Sequence, residues 1–272
     1  MTEAERGNRA DGLSAAALIG AEPGQAGEAE GLQEWLRTDR AGRPAEEVLG
    51  WAIRTFRPRI ALASSFGAED VALIDMWWRI EQEVQIVTLD TGRLPEETYE
   101  VMERIRERYG IAITTYFPEA AAVEGLERER GFYSFRRSVE ERKHCCGIRK
   151  VQPLGRALAG LDAWVTGLRR EQAETRVTVR QVERDAAHGG IIKVNPLADW
   201  STEEVWRYVR AHEVPYNRLH DRGYPSIGCA PCTRAVRAGE DLRAGRWWWE
   251  NPTTKECGLH LGPGNGDPGQ RT

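Results

Sequence analysis

Short β-branched runs alternating with amphipathic stretches constrain this chain most. Arg59 to Ala63 (RIALA) and Val84 to Leu89 (VQIVTL) have strand length, and each is followed by turn residues and then a helical period. The stretch from Pro95 to Tyr109 opens on a helix-compatible proline and sets Thr98, Met102, Ile105 and Tyr109 on one face. Ala163 to Thr166 and Ile191 to Val194 read as further strands. Ser201 to Glu204 is a capping box opening a helix through Val205, Trp206 and Val209. Strands separated by helices predict an α/β fold with a mainly parallel sheet covered on both faces. In open sheets of this kind ligands bind beyond the carboxyl ends of the strands. That directs attention to three turns, Ser64 to Asp70, Asp90 to Pro95 and Gly167 to Arg176.

With 40% hydrophobic and 29% charged residues the chain has the balance of a globular protein. Residues 1 to about 30 are rich in Ala, Gly and Glu and read as a disordered arm. The expected organisation is that arm, an α/β domain over 31–240, and a C-terminal segment over 241–272 that frays after Gly262. No apolar run approaches the ~20 residues of a membrane helix, and the first residues lack a secretory core, so the expected address is cytoplasmic. A net charge of -4 supplies no global field for a nucleic acid, and an anionic ligand needs a local basic site.

Small residues at Ser64, Ser65 and Gly67, between a strand and a helix, suit a phosphate on a helix N-terminus, although such turns often serve only as caps. Asp90 closes the next strand, where it suits a ribose or the ordering of its own loop. After Gly167, the adjacent Arg169 and Arg170 could grip a phosphate bidentately or form a solvated charge pair. Lys150, Arg176, Arg243 and Arg246 are further cations whose convergence position alone does not decide.

Five cysteines, an odd count, favour metal binding or catalysis over a disulfide framework in a reducing compartment. Cys145 and Cys146 are adjacent, and Cys229 and Cys232 form a CxxC pair in a Gly and Pro turn. Four thiolates could meet at one centre, and thiolate chemistry leaves zinc and iron–sulfur both open. Cys257 is left over in a polar, Gly-rich tail, where an accessible thiolate can act as a nucleophile, although a lone cysteine is more often inert. Trp247, Trp248 and Trp249 upstream read as docking that tail or closing a core edge.

Six stretches taken together resemble the adenylyl-sulfate and phosphoadenylyl-sulfate reductases, members of the adenine nucleotide alpha-hydrolase-like group. They are SSFGAEDVALI at 64–74, LDTGRLPEET at 89–98, KHCCGIRKVQPL at 143–154, TGLRREQ at 166–172, CAPCTR at 229–234 and KECGLH at 255–260. The resemblance implies a Rossmann-like sheet with a nucleotide in its cleft and a C-terminal lid carrying the nucleophile Cys257. It implies one 4Fe-4S cluster per chain on Cys145, Cys146, Cys229 and Cys232, with Lys150 linking cluster and substrate. Arg243 and Arg246 would contact the sulfate, and His260 corresponds to the tail histidine. Ser64, Ser65, Gly67, Asp90, Gly167, Arg169 and Arg170 would fall in the nucleotide-binding turns. The chain departs from the family pattern at Ala173, where serine usually follows the RR-x-Q signature.

The implied reaction takes adenylyl sulfate to sulfite and AMP through a Cys257 S-sulfonate, with thioredoxin or a similar dithiol as reductant. A second copy of the chain is a compatible partner; nucleic acid and membrane are not expected. Phosphoadenylyl-sulfate reduction is the nearest alternative and needs a cationic pocket for the 3′-phosphate. An ATP-using sulfurtransferase is disfavoured because SSFGAED stands where SGGxDS is expected. A non-catalytic four-cysteine redox sensor is the alternative from another class.

Overall fold

The computed structural model describes residues 31–37, 42–251, 258 and 259. Its elements run α1 (31–37), α2 (Ala45–Phe56), β1 (Ile60–Ser64), α3 (Ala68–Ile80), β2 (Ile86–Leu89), α4 (Glu96–Tyr109), β3 (Ile113–Tyr116), α5 (Ala120–Arg130) and α6 (Val139–Cys146). A π-helical turn (Gly147–Val151) leads into α7 (Gln152–Leu158), followed by β4 (Ala163–Val165), β5 (Val182–Asp185), β6 (Ile191–Val194) and α8 (Thr202–Ala211). The strands form one sheet in the order β3-β2-β1-β4-β6-β5. All neighbours are parallel except β5, which pairs antiparallel with β6.

Successive strand residues point to opposite faces, and that alternation sorts the core. Ile60 and Leu62 of β1, Ala163 and Val165 of β4, and Ile192 and Val194 of β6 join the large core under α2, α3 and α8. The opposite residues of β1, Ala61 and Ala63, are small and meet Val87 and Ala157, which brings α7 close to the sheet. Helices thus lie on both faces, as the alternation of strand and helix predicts.

Local sequence explains the frame of α4 and α8. Glu96 and Glu97 occupy the first turn of α4 and Arg106 and Arg108 its last, matching the helix dipole, and Gly110 ends it at φ 65°. The capping box of α8 forms: Ser201 Oγ accepts from Glu204 N at 3.2 Å, and Glu204 Oε2 accepts from Ser201 N at 2.7 Å. Val101 joins the expected buried face of α4.

The chain runs from β1 outward through β2 to β3, then returns to β4 on the other side of β1. The switch point therefore lies between β1 and β4, where a crevice opens at the carboxyl ends of the strands.

Candidate active site

A cleft occupies that crevice, lined by the turns after β1, β2 and β4. At the first turn the backbone of Phe66 takes φ 57°, a conformation few non-glycine residues adopt, while its ring is buried in the core. Ser64 Oγ accepts from Phe66 N at 3.0 Å. Asp70, in the first turn of α3, accepts from Ser65 N at 2.6 Å and Ser65 Oγ at 2.8 Å. Burial raises the Asp70 carboxyl to about 6 against the lowering effect of those bonds. Ser64, Ser65 and Gly67 all line the cleft, with Gly67 as the N-cap of α3.

The turn after β4 packs against this one. A Cβ at Gly167 would collide with the Asp70 carboxylate and the Glu69 side chain, so only glycine permits the approach. Arg169 donates to Glu69 Oε1 through Nε at 2.9 Å and a terminal nitrogen at 2.8 Å, and also to Trp200 O and Thr202 Oγ1. Gln172 Nε2 donates to the same Glu69 oxygen at 3.0 Å. Although burial pushes Glu69 up, Arg169 and Gln172 outweigh it and hold the carboxyl below its ordinary value. Glu69 and Gln172, which sequence reasoning did not single out, thus shape this wall.

The two adjacent arginines do not form a joint grip. Arg169 lines the cleft, whereas Arg170 turns to Asp199 and to Val179 O and lies outside the lining. Asp90 also lies outside it, accepting from Gly92 N at 2.8 Å and Tyr99 Oη at 3.0 Å, and so orders its own loop. Its neighbour Thr91 does line the cleft.

The four cysteines, far apart in sequence, come together in one buried cluster and line a second, smaller cavity. Cys145 and Cys146 end α6, where the helix widens into the π turn. Pro153, one turn on, has no N–H for the α-helical ladder, a local cause for the change of pitch. Arg149 within this turn donates to Thr91 O at 2.7 Å and to Glu127 at 2.6 Å. Cys229 and Cys232 bracket a 3-10 turn closed by Cys232 N to Cys229 O at 2.9 Å. Trp247 seals the cluster between the guanidinium groups of Arg142 and Arg246, 4.6 and 4.8 Å from its ring. Trp249 packs against Phe135 while Trp248 is exposed, so the tryptophan run closes a core edge.

Lys150 and Arg246 line both cavities. Burial raises the Cys229 thiol, but Lys150, the Thr91 hydroxyl at 3.2 Å, Arg246 and Arg149 bring it below the ordinary value. Cys232 is pushed up to about 12 by burial and by Cys229. Among the described residues no three His, Cys, Asp or Glu side chains converge on a position for a single metal ion. Arg243 and Arg176 complete the basic lining of the cleft. Cys257 and His260 lie outside the described residues, but Leu259 lines the cleft and packs with Leu154, Leu158 and Trp164.

A mainly parallel sheet with a cleft lined by Lys150, Arg169, Arg176, Arg243 and Arg246 over its switch point places the protein in the class of open α/β folds that take ligands beyond the carboxyl ends of their strands. Residues 59–235 match the phosphoadenosine phosphosulfate reductase domain, and the chain belongs to that family. It is 56% identical over 201 residues to the adenosine 5′-phosphosulfate reductase of Allochromatium vinosum, covering 74% of this chain and 78% of that protein. It is 47% identical over 232 residues to the enzyme of the same name from Pseudomonas aeruginosa, covering 84% and 86%. The crystal structure of phosphoadenylyl-sulfate reductase from Candida auris, a phosphate complex, superposes with a TM-score of 0.60 at 30% identity, over 71% of this chain and 91% of that one. Yeast FAD synthetase in complex with FAD shares the fold alone, with a TM-score of 0.52 at 13% identity over 80% and 70% of the two chains.

Proposed function

We propose that this protein reduces adenylyl sulfate to sulfite and AMP. The observation that carries the reading is the pair Lys150 and Arg246, which stand in both the nucleotide cleft and the cysteine cavity. They give the cleft a cationic end for a sulfonyl group next to a thiol-rich centre. Relatives about half identical to this chain, named for that reaction, support it.

The Cys257 thiolate attacks the sulfur of adenylyl sulfate, the S–O bond to phosphate breaks, and AMP leaves with the electron pair. Cys257 is left as an S-sulfonate. A dithiol such as thioredoxin then attacks the cysteine sulfur and expels sulfite, and its second thiol resolves the mixed disulfide, restoring Cys257 and supplying two electrons. Lys150, Arg243 and Arg246 offset the charge that builds on the departing phosphate and the sulfonyl oxygens. The same task is assigned to His260 on the family resemblance alone. Ser64, Ser65, Gly67, Gly167 and Arg169 shape the nucleotide turns, with Asp90 and Arg170 supporting them from behind. Because the dithiol must stay reduced, the cytoplasm is the compartment that fits.

Cys145, Cys146, Cys229 and Cys232 fit a 4Fe-4S cluster better than a single zinc ion. They share one cavity, and an adjacent pair such as Cys145 and Cys146 is unusual in zinc sites, which normally draw their cysteines from CxxC-like pairs, whereas iron–sulfur clusters take four cysteines in more varied spacings. Arg149 Nε and Arg246 Nε are buried there without partners, donors suited to thiolate sulfur. When bound, the cluster would supply a buried negative charge that holds Lys150 and Arg246 in register with the substrate. Sulfite release from adenylyl sulfate and a dithiol, abolished by Cys257→Ser and not increased when phosphoadenylyl sulfate replaces the substrate, tests the assignment.

A further inference from the structure

His220 opens a 3-10 turn, His220–Arg222, and lines the cleft with Glu69, Gly167, Pro225 and Ser226. Its Nε2 is buried without a hydrogen-bond partner in the protein, an unfavourable state for a polar atom. Trp206 meets the ring edge-on, centroids 5.1 Å apart and planes at 80°, which fixes its orientation. Burial lowers the imidazole pKa more than Glu69, the Tyr224 backbone and Asp221 raise it, so the ring is neutral near pH 7. A neutral imidazole has one donor and one acceptor nitrogen. With the proton on the other ring nitrogen, the unpartnered Nε2 is an acceptor open to a ligand donor.

The cleft lining offers three kinds of chemistry. Lys150, Arg243 and Arg246 suit the phosphosulfate, and Val87, Leu89, Leu154 and Trp164 suit a purine face. Glu69, Gln172 and His220 line the cleft as well, beside Arg169 and Arg176, and their polar groups suit what remains of such a nucleotide, the ribose with its two hydroxyl donors. We propose that His220 Nε2 accepts a hydrogen bond from a ribose hydroxyl of the bound nucleotide and is a specificity-determining residue for an unphosphorylated ribose. A phosphate in place of that hydroxyl's hydrogen leaves Nε2 without its donor. This rests on the nucleotide-binding reading of the cleft given under Proposed function.

The test is binding of AMP, 2′-deoxy-AMP, 3′-deoxy-AMP and inosine monophosphate to the full-length protein and to the variants His220→Phe and His220→Gln, with thermal midpoints checking that each folds. In the wild type, loss of the bonded hydroxyl weakens binding roughly 5- to 10-fold. In His220→Phe that one penalty falls below about 2-fold while the others persist, and the amide oxygen of His220→Gln restores part of it. The inference is overturned if both deoxy penalties are the same in variant and wild type, or if the inosine penalty is the one that vanishes. If the wild type binds none of the four, the cleft reading itself falls.

Discussion

Arg142 and Glu250 form a bidentate ion pair, both bonds at 2.9 Å, with side chains 0% and 3% exposed. Arg142 lies on α6 three residues before Cys145, and Glu250 directly follows the tryptophan run. The pair therefore clamps the helix that presents two of the cysteines to the root of the segment leading to Cys257.

Removing one partner of such a pair leaves a buried charge uncompensated. Glu250→Ala should lower unfolding stability by roughly 3–5 kcal/mol. Urea denaturation checks this, with Glu250→Gln, which keeps an acceptor, falling between the variant and the wild type. A change within about 0.5 kcal/mol would show that the pair carries little stability.

Asp70 makes stability depend on pH in the direction opposite to an ordinary paired carboxylate. Its folded pKa is about 6, above the ~3.9 of an unfolded aspartate, so between those values the folded chain holds a proton that the unfolded chain has released. The contribution is fully present below about pH 4 and is lost as pH rises through 6, about 3 kcal/mol in all. Asp70→Asn, which still offers Ser65 an acceptor, should flatten that slope in denaturation series between pH 4 and 7.

Gly167→Ala places a methyl group against Asp70 and Glu69. Overpacking of this kind costs about 1–3 kcal/mol, and here the strain falls on the turn beneath the cleft. AMP affinity measured by calorimetry should drop roughly 5- to 100-fold with little change in far-ultraviolet circular dichroism. Unchanged affinity would mean that the two turns need not touch for binding.

Much of this architecture is legible in the sequence. The strands β1, β2, β4 and β6 are apolar and interior, and α4 and α8 carry their own periodicity and caps, so each element declares itself locally. The strands β3 and β5 do not, because they are the sheet edges. β3 leaves two threonines exposed, and β5 reads Val-Glu-Arg-Asp, with the charge that edge strands carry against aggregation. The Arg169–Arg170 pair misleads for a similar reason: Arg169 is extended at φ -131° and ψ 148°, and successive side chains of extended backbone diverge. Cys145, Cys146, Cys229 and Cys232 are conspicuous by residue type alone. Glu69, Gln172 and His220 are not, since their place in the cleft depends on partners up to about 150 positions away.

The reaction turns on one covalent step, and mass spectrometry of the intact protein observes it directly. Anaerobic incubation with adenylyl sulfate and no dithiol should release one AMP per chain and add one SO3 group, mapped to Cys257 and removed on adding thioredoxin. AMP release without the adduct, or an adduct that survives Cys257→Ser, would contradict the account.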